Sequence, residues 1–117
     1  MYFVRPQPSV DLGGDWTFAF KEGPCAEQFR SLVELRRAGL ELRPCVVPGN
    51  FELDLQAHGL IAEPFFGLNA LELRKYENHH VWYARAFTAQ LPADSVAQLV
   101  FDGLDCYADV FLNGQHL

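Results

Sequence analysis

Trp16, Phe18 and Phe20 alternate with small or polar residues, the period of a half-buried strand. Gly13-Gly14 just ahead of them predicts a turn, and Lys21 to Pro24 interrupts the alternation. From Ala26 to Ala38 the apolar residues Phe29, Leu32, Val33 and Leu35 fall at near-helical spacing, and Gly39 stands where a helix stops. This predicts a short amphipathic helix. Leu40 to Val47 reads as a second strand, closed by Pro48-Gly49. Asn50 is placed to cap a brief helix running through Ala57, because its side-chain oxygen can accept from an orphan backbone N–H. From His58 to Asn78 the pattern predicts a long irregular segment, with Gly59, Pro64, Gly67 and Asn69 along it. Loops of that length tend to be functional or to pack against something else.

The final third has the most regular period. Trp82 to Ala89 predicts a strand, Gln90 to Ser95 a turn built on Pro92 and Asp94, and Ala97 to Asp102 a strand with Leu99 and Phe101 facing one way. Asp105 to Leu112 predicts a further strand with Cys106, Ala108, Val110 and Leu112 inward and Asp105, Tyr107, Asp109 and Phe111 outward. Asn113-Gly114 is a strong hairpin-turn signal, since both central positions of the favoured turn need positive φ. Only Gln115, His116 and Leu117 follow it. About five strands are visible, against about eight in a closed two-sheet jelly roll. The pattern therefore predicts a partial domain, with an unpaired edge along Asp105–Leu112 through which copies would self-associate.

The chain has 117 residues, room for one small domain, and half of them are hydrophobic. An aromatic content of 14% supplies ample material for a core and sets disorder aside. The net charge of −6, with basic residues scattered, argues against nucleic acid and anionic membranes as partners. No apolar run approaches the roughly 20 residues needed to span a bilayer, and the start, Met1 to Pro6, lacks the form of a secretion signal. Cys25, Cys45 and Cys106 are odd in number and widely spaced, which predicts reduced thiols filling apolar gaps and fits a cytoplasmic origin.

Five pieces stand in order: Asp15-Trp16-Thr17-Phe18, Val47-Pro48-Gly49, Trp82-Tyr83-x-Arg85-x-Phe87, Phe101-x-Gly103-Leu104-Asp105 and Val110-Phe111-Leu112-Asn113-Gly114. Together they resemble the N-terminal sugar-binding-like domain of family-2 glycoside hydrolases. The loop from Asp54 to Asn69, with Gly59-Leu60-Ile61 and Pro64-Phe65-Phe66-Gly67 inside it, resembles the β-mannosidase branch. Asn50, Ala62 and Glu77-Asn78-His79-His80 depart from that pattern, and related exo-acting branches stay open. The resemblance implies an all-β fold, a galactose-binding-like jelly-roll β-sandwich, here truncated, with one or two short helices. Residues 1–117 would be a single partial domain, and the partners would be an immunoglobulin-like domain and a barrel domain downstream in the same enzyme, together with its carbohydrate substrate. It implies retention of configuration through two Glu residues on the barrel, a chemistry that needs two carboxyl groups about 5 Å apart.

No catalytic residue, cofactor or metal is therefore expected within this chain. Glu77-Asn78 reverses the Asn-Glu order that the family's acid/base requires. His79-His80 point to opposite sides of an extended chain, which does not suit zinc. Asp102, Asp105 and Asp109 read as solvent-facing carboxylates, without a calcium-loop pattern. The loop residues Phe65, Phe66 and Asn69 are the candidates for docking on the barrel and walling the substrate entrance, since the segment is too apolar for a freely solvated connection. Tyr107 and Phe111, outward on the predicted strand, are the candidates for an exposed patch that meets sugar or a neighbouring domain. A freestanding carbohydrate-binding module and a purely structural interaction domain are the alternative readings.

Overall fold

A computed structural model of the chain describes residues 9–23, 29–64, 66–105 and 107–117. Its centre is a three-stranded antiparallel sheet in the order β2-β1-β3, formed by β1 (Gly14–Glu22), β2 (Arg43–Val47) and β3 (His79–Ala84). Two short helices lie between the strands, α1 (Leu32–Arg37) and α2 (Phe51–Ala57), and a 3-10 helix (Asn69–Tyr76) precedes β3. A separate hairpin of β4 (Phe111–Leu112) and β5 (Gln115–His116) ends the chain. Among the described residues the regular structure is mostly strand, as an all-β fold requires.

The alternation around β1 does what its period predicts. Phe18 pairs with Arg43 on one side and Tyr83 on the other, Trp16 with Cys45, and Phe20 with Val81. Residues directly opposite one another share a face of the sheet, so these apolar side chains form one surface. Phe18 is wholly buried there, its ring within 6.5 Å of the rings of Phe20, Phe51, His58 and Tyr83. Leu55 of α2 is also wholly buried. On the opposite face, Ala19 is buried and pairs with Trp82, whose ring lies 5.3 Å from that of Phe29.

Local capping sets both helices. Ser31 caps α1, its hydroxyl accepting from the Glu34 N–H, and the chain closes after Ala38 as Gly39 and Leu40 donate to Arg36 and Leu35. This helix begins at Leu32, so Phe29 and Arg30 lie outside it, and the predicted start at Ala26 falls outside the described residues. Asn50 caps α2 as its sequence position predicts, accepting from Leu53 at 2.9 Å. Gly49 is required just before it, because a Cβ there would sit 2.8 Å from the Val46 carbonyl oxygen.

Several predicted boundaries are corrected. The second strand starts at Arg43, not Leu40, and the third covers His79–Ala84, not Trp82 to Ala89. It starts earlier because pairing with Lys21 and Glu22 draws His80 and His79 into the sheet. The segment taken as wholly irregular contains the 3-10 helix. Ala97 to Asp102 forms no strand, and among the described residues of 105–112 the strand residues are Phe111 and Leu112, with the Val110 carbonyl accepting from the Leu117 N–H beside them. Ala108 is exposed although assigned inward, while Phe111 is half-buried although assigned outward. Alternation alone does not make a strand: the backbone groups need a second segment beside them. Among the described residues of 105–112 the long strand edge expected there is therefore not formed. The hairpin turn itself is as predicted, with φ of 51° at Asn113 and 79° at Gly114.

Arg85, just past β3, ties the chain before β1 to the sheet. Its Nη1 donates to the carbonyl oxygens of Leu12 and Gly13, both at 2.6 Å, and the Trp16 indole N–H donates to the same Leu12 oxygen. Beyond this frame little is covered. The radius of gyration is 17.3 Å, against about 13 Å for a compact domain of this length. The accessible surface of 9849 Å² is about half as much again as a folded monomer of this mass exposes. Val96, Val100, Phe101, Leu104 and Tyr107 all face solvent.

Two outcomes follow for stability, both read by equilibrium unfolding. Phe18→Ala removes the centre of the packed face and is expected to cost about 3–5 kcal/mol. Arg85→Ala removes a charged donor from two carbonyls and is expected to cost about 2 kcal/mol, with Arg85→Lys recovering part of the loss.

Candidate functional site

The candidate site grows out of α2. Phe51, Asp54, Leu55 and His58 recur at helical spacing, so one face of the helix turns all four toward the sheet. Phe51 and His58 meet Phe18, and Leu55 fills the space between. Asp54 is a carboxylate on this apolar face and is only 7% exposed. A buried charge without a partner is costly, and the partner is Tyr83 of β3, whose hydroxyl donates to Asp54 Oδ2 at 2.7 Å. The His58 Nε2–H donates to the Pro44 carbonyl oxygen of β2 at 2.7 Å. The helix is thus fastened to both outer strands by polar contacts and to the central strand by apolar ones.

Burial pushes the Asp54 carboxyl above its ordinary value; the Tyr83 hydrogen bond and the charge of His58 pull it back down, and nearby Glu52 adds to the rise. The Tyr83 hydroxyl is pushed far above the ordinary phenol range, by burial first and then by its bond to Asp54. Burial, then the charge of Asp54, raises the Cys45 thiol to about 11, which keeps it protonated and unreactive at neutral pH. The Asp54–Tyr83 bond thus joins the helix to β3.

After α2 the chain turns back on itself. The N–H groups of Gly59 and Leu60 donate to Gln56 and Leu55. Glu63 then gathers the loop: its side chain accepts from the Gln56 amide at 2.8 Å, and its carbonyl oxygen accepts from the Asn69 side-chain amide at 2.8 Å and from the Phe66 N–H. Pro64 is buried beneath, while Phe66 and Leu68 stand 75% and 79% exposed, with Leu71 exposed beyond them. A cleft of about 320 Å³ separates α2 from the 3-10 helix, lined by Phe51, Glu52, Leu73, Arg74 and Tyr76 among others.

Of the predicted site residues, Phe66 stands out into solvent, and Phe65 lies outside the described residues. Asn69 has its amide committed to the loop backbone. Tyr107 is fully exposed. Phe111 does not share its outward patch: the Arg30 guanidinium lies 5.7 Å from its ring centre and the His116 ring 5.0 Å away. His79 and His80 take opposite faces of β3, His79 against Phe20 and Tyr76, and His80 beside Trp82. Asp109 accepts from His116 at 3.0 Å. Among the described residues no group of three potential metal ligands converges, and no helix is long and apolar enough to cross a membrane. Of the three cysteines, Cys45 is buried and free, and Cys25 and Cys106 lie outside the described residues. Gln56 and Glu63 were not singled out from sequence, and the pairing of Asp54 with Tyr83, each named there only within a family-like motif or as an aromatic, was not foreseen. The legible signal was Asp54 itself, a carboxylate at an inward position of an amphipathic helix.

Residues 16–117 match the family model described as glycosyl hydrolase 2 galactose-binding domain-like. Relatives include β-mannosidase B of Thermothelomyces thermophilus, 44% identical over 68 residues, or 57% of this chain and 8% of that protein. β-Mannosidase B of Emericella nidulans is 46% identical over 71 residues, 59% of this chain and 8% of that protein. β-Mannosidase of Rattus norvegicus is 30% identical over 108 residues, 91% of this chain and 10% of that protein. The chain thus spans about a tenth or less of the length of these relatives. No solved structure gives a significant match.

A carboxyl whose pKa is raised in the folded chain keeps its proton longer there than when unfolded. Its contribution to stability is present below about pH 4 and is lost as the pH rises through the folded value. The stability of the native chain relative to Asp54→Asn should accordingly be greatest near pH 4 and decline toward pH 7. Denaturant unfolding of both across that range checks the sign, and a stability advantage of the native chain that grows with rising pH would contradict it.

Proposed function

Because the chain belongs to the glycosyl hydrolase 2 galactose-binding domain-like family, we propose that it is the N-terminal, non-catalytic sandwich domain of a β-mannosidase-like retaining glycoside hydrolase. The observation that carries this reading is the family match over residues 16–117, joined to 44–46% identity with β-mannosidase B over more than half of the chain. The domain acts as a scaffold: it takes no part in bond cleavage, needs no cofactor, and supports a catalytic barrel and an immunoglobulin-like domain elsewhere in the same protein. The substrate is a β-mannoside, and the two catalytic carboxyl groups belong to the barrel.

Residues 1–117 form one partial domain of jelly-roll type. The sheet β2-β1-β3 is one layer, and the alternating segments at 97–102 and 105–112 belong to the layer that packs on it in the whole enzyme. The row of exposed apolar residues from Val96 to Tyr107 supports this, since monomeric proteins seldom leave such stretches open. The loop carrying Phe65, Phe66 and Asn69 docks against the barrel near the substrate entrance, and Tyr107 lies toward a neighbouring domain.

Hydrolysis of an aryl β-mannoside by the full-length protein tests the activity, and retention of configuration in the product tests the mechanism. Burying a Phe side chain contributes about 1.5–3 kcal/mol, so Phe66→Ser is expected to weaken docking at least about tenfold. The measured signs would be a lower melting temperature and a reduced kcat/KM in the full-length protein. Unchanged melting and turnover would remove the docking role.

A further inference from the structure

The exposed part of the loop is held in shape by three polar residues that belong neither to the core nor to any catalytic group. The Gln56 amide on α2 donates to the Glu63 carboxylate, and the Asn69 amide at the start of the 3-10 helix donates to the Glu63 carbonyl. The Phe66 N–H donates to that same carbonyl, the Asn69 N–H to the Phe66 carbonyl, and the Leu71 N–H to the Leu68 carbonyl. Residues 66–71 are therefore braced at both ends, and the helix that carries the brace is fastened to the sheet through Leu55 and Asp54.

What the brace holds out is apolar. From Pro64 to Leu71 the sequence contains no charged residue, and Phe66, Leu68 and Leu71 are each more than half exposed. Glu63 on one side and Glu72, Arg74 and Lys75 on the other give that patch a charged border. An apolar centre inside a polar rim is the anatomy of a protein–protein contact. Ordering a loop costs conformational entropy, and a loop already shaped before contact avoids part of that cost at the moment of docking.

We infer that Gln56, Glu63 and Asn69 form a positioning bracket that presents Phe66, Leu68 and Leu71 as a preformed apolar contact for the remainder of the parent polypeptide. The inference rests on the scaffold reading above. The occupant is an uncharged, apolar surface of the same protein, because this stretch matches only 8–10% of the length of its relatives, leaving most of a protein of that kind to supply the cover. Asn69 is in this view a positioning residue: its amide is spent on the loop, and its effect on substrate passes through Phe66 and Leu68.

The experiment uses the full-length protein and two near-isosteric variants. Asn69→Asp removes the donor to Glu63, and Gln56→Met removes the other amide while keeping its length. Hydrogen exchange resolved to the peptide covering residues 66–71 is expected to quicken about fivefold to tenfold, the effect of losing one intramolecular hydrogen bond. With an aryl β-mannoside as probe, KM is expected to rise while kcat holds. Unaltered exchange at 66–71 would overturn the bracket. Faster exchange with KM unmoved, or a lower melting temperature alone, would overturn its positioning role. Failure of the scaffold reading looks different: the full-length protein would then leave the aryl β-mannoside unhydrolysed, while Asn69→Asp would still speed local exchange.

Discussion

The packing of Phe18 is the interaction on which the rest of this structure depends. It sits on the central strand, pairs with both neighbours, and is wholly closed off by rings and by the helix that crosses above it. Because its face also receives Phe51, Leu55 and His58, the placing of α2 follows from the burial of this one ring. The loop after α2, with its exposed apolar tip, inherits its position from the helix. A side chain at the centre of a sheet thus sets the location of a surface feature many residues away in sequence.

Polar contacts complete what this small core cannot hold alone. Among the described residues the apolar core proper is Phe18, Ala19, Leu35, Cys45 and Leu55. Hydrogen bonds of long sequence separation do the remaining fastening, Asp54 to Tyr83 between helix and strand, and Arg85 to the carbonyls before β1. Such bonds contribute little when exposed, but a buried group left unpaired is costly, so each also penalises alternative arrangements. That is how a thin layer keeps a defined register.

Burial raises the pKa of Asp54, Tyr83 and Cys45, and the loop tip at Phe66 and Leu68 is exposed and apolar. The scaffold reading joins these facts: a domain of a glycoside hydrolase that shapes and supports a catalytic centre located elsewhere in the protein. The open apolar surface of the final third and the braced loop are then two parts of the surface over which such a domain meets the rest of its enzyme.

Much of this was legible in the residues themselves. The alternation of Trp16, Phe18 and Phe20, the cap at Asn50, the stop at Gly39 and the Asn113-Gly114 turn each rest on contacts within a few residues, and the family pattern rests on the order of short motifs. Those are determined locally, by side-chain period and by backbone conformations that only certain residues adopt readily. What needed the tertiary structure was pairing. A strand completes its hydrogen bonds on another segment, so the period at Ala97 to Leu112 could not say that the strand pairing among the described residues would fall at Phe111 and Leu112, nor the period at Trp82 that β3 would begin at His79. The bond from the Asn69 amide to the Glu63 carbonyl needed it for the same reason: a side-chain amide bonds to whatever the fold brings within 3 Å. Asp54 shows the division most plainly, because its inward position follows from helical spacing, but its acceptable burial depends on a Tyr83 hydroxyl that arrives from the far edge of the sheet.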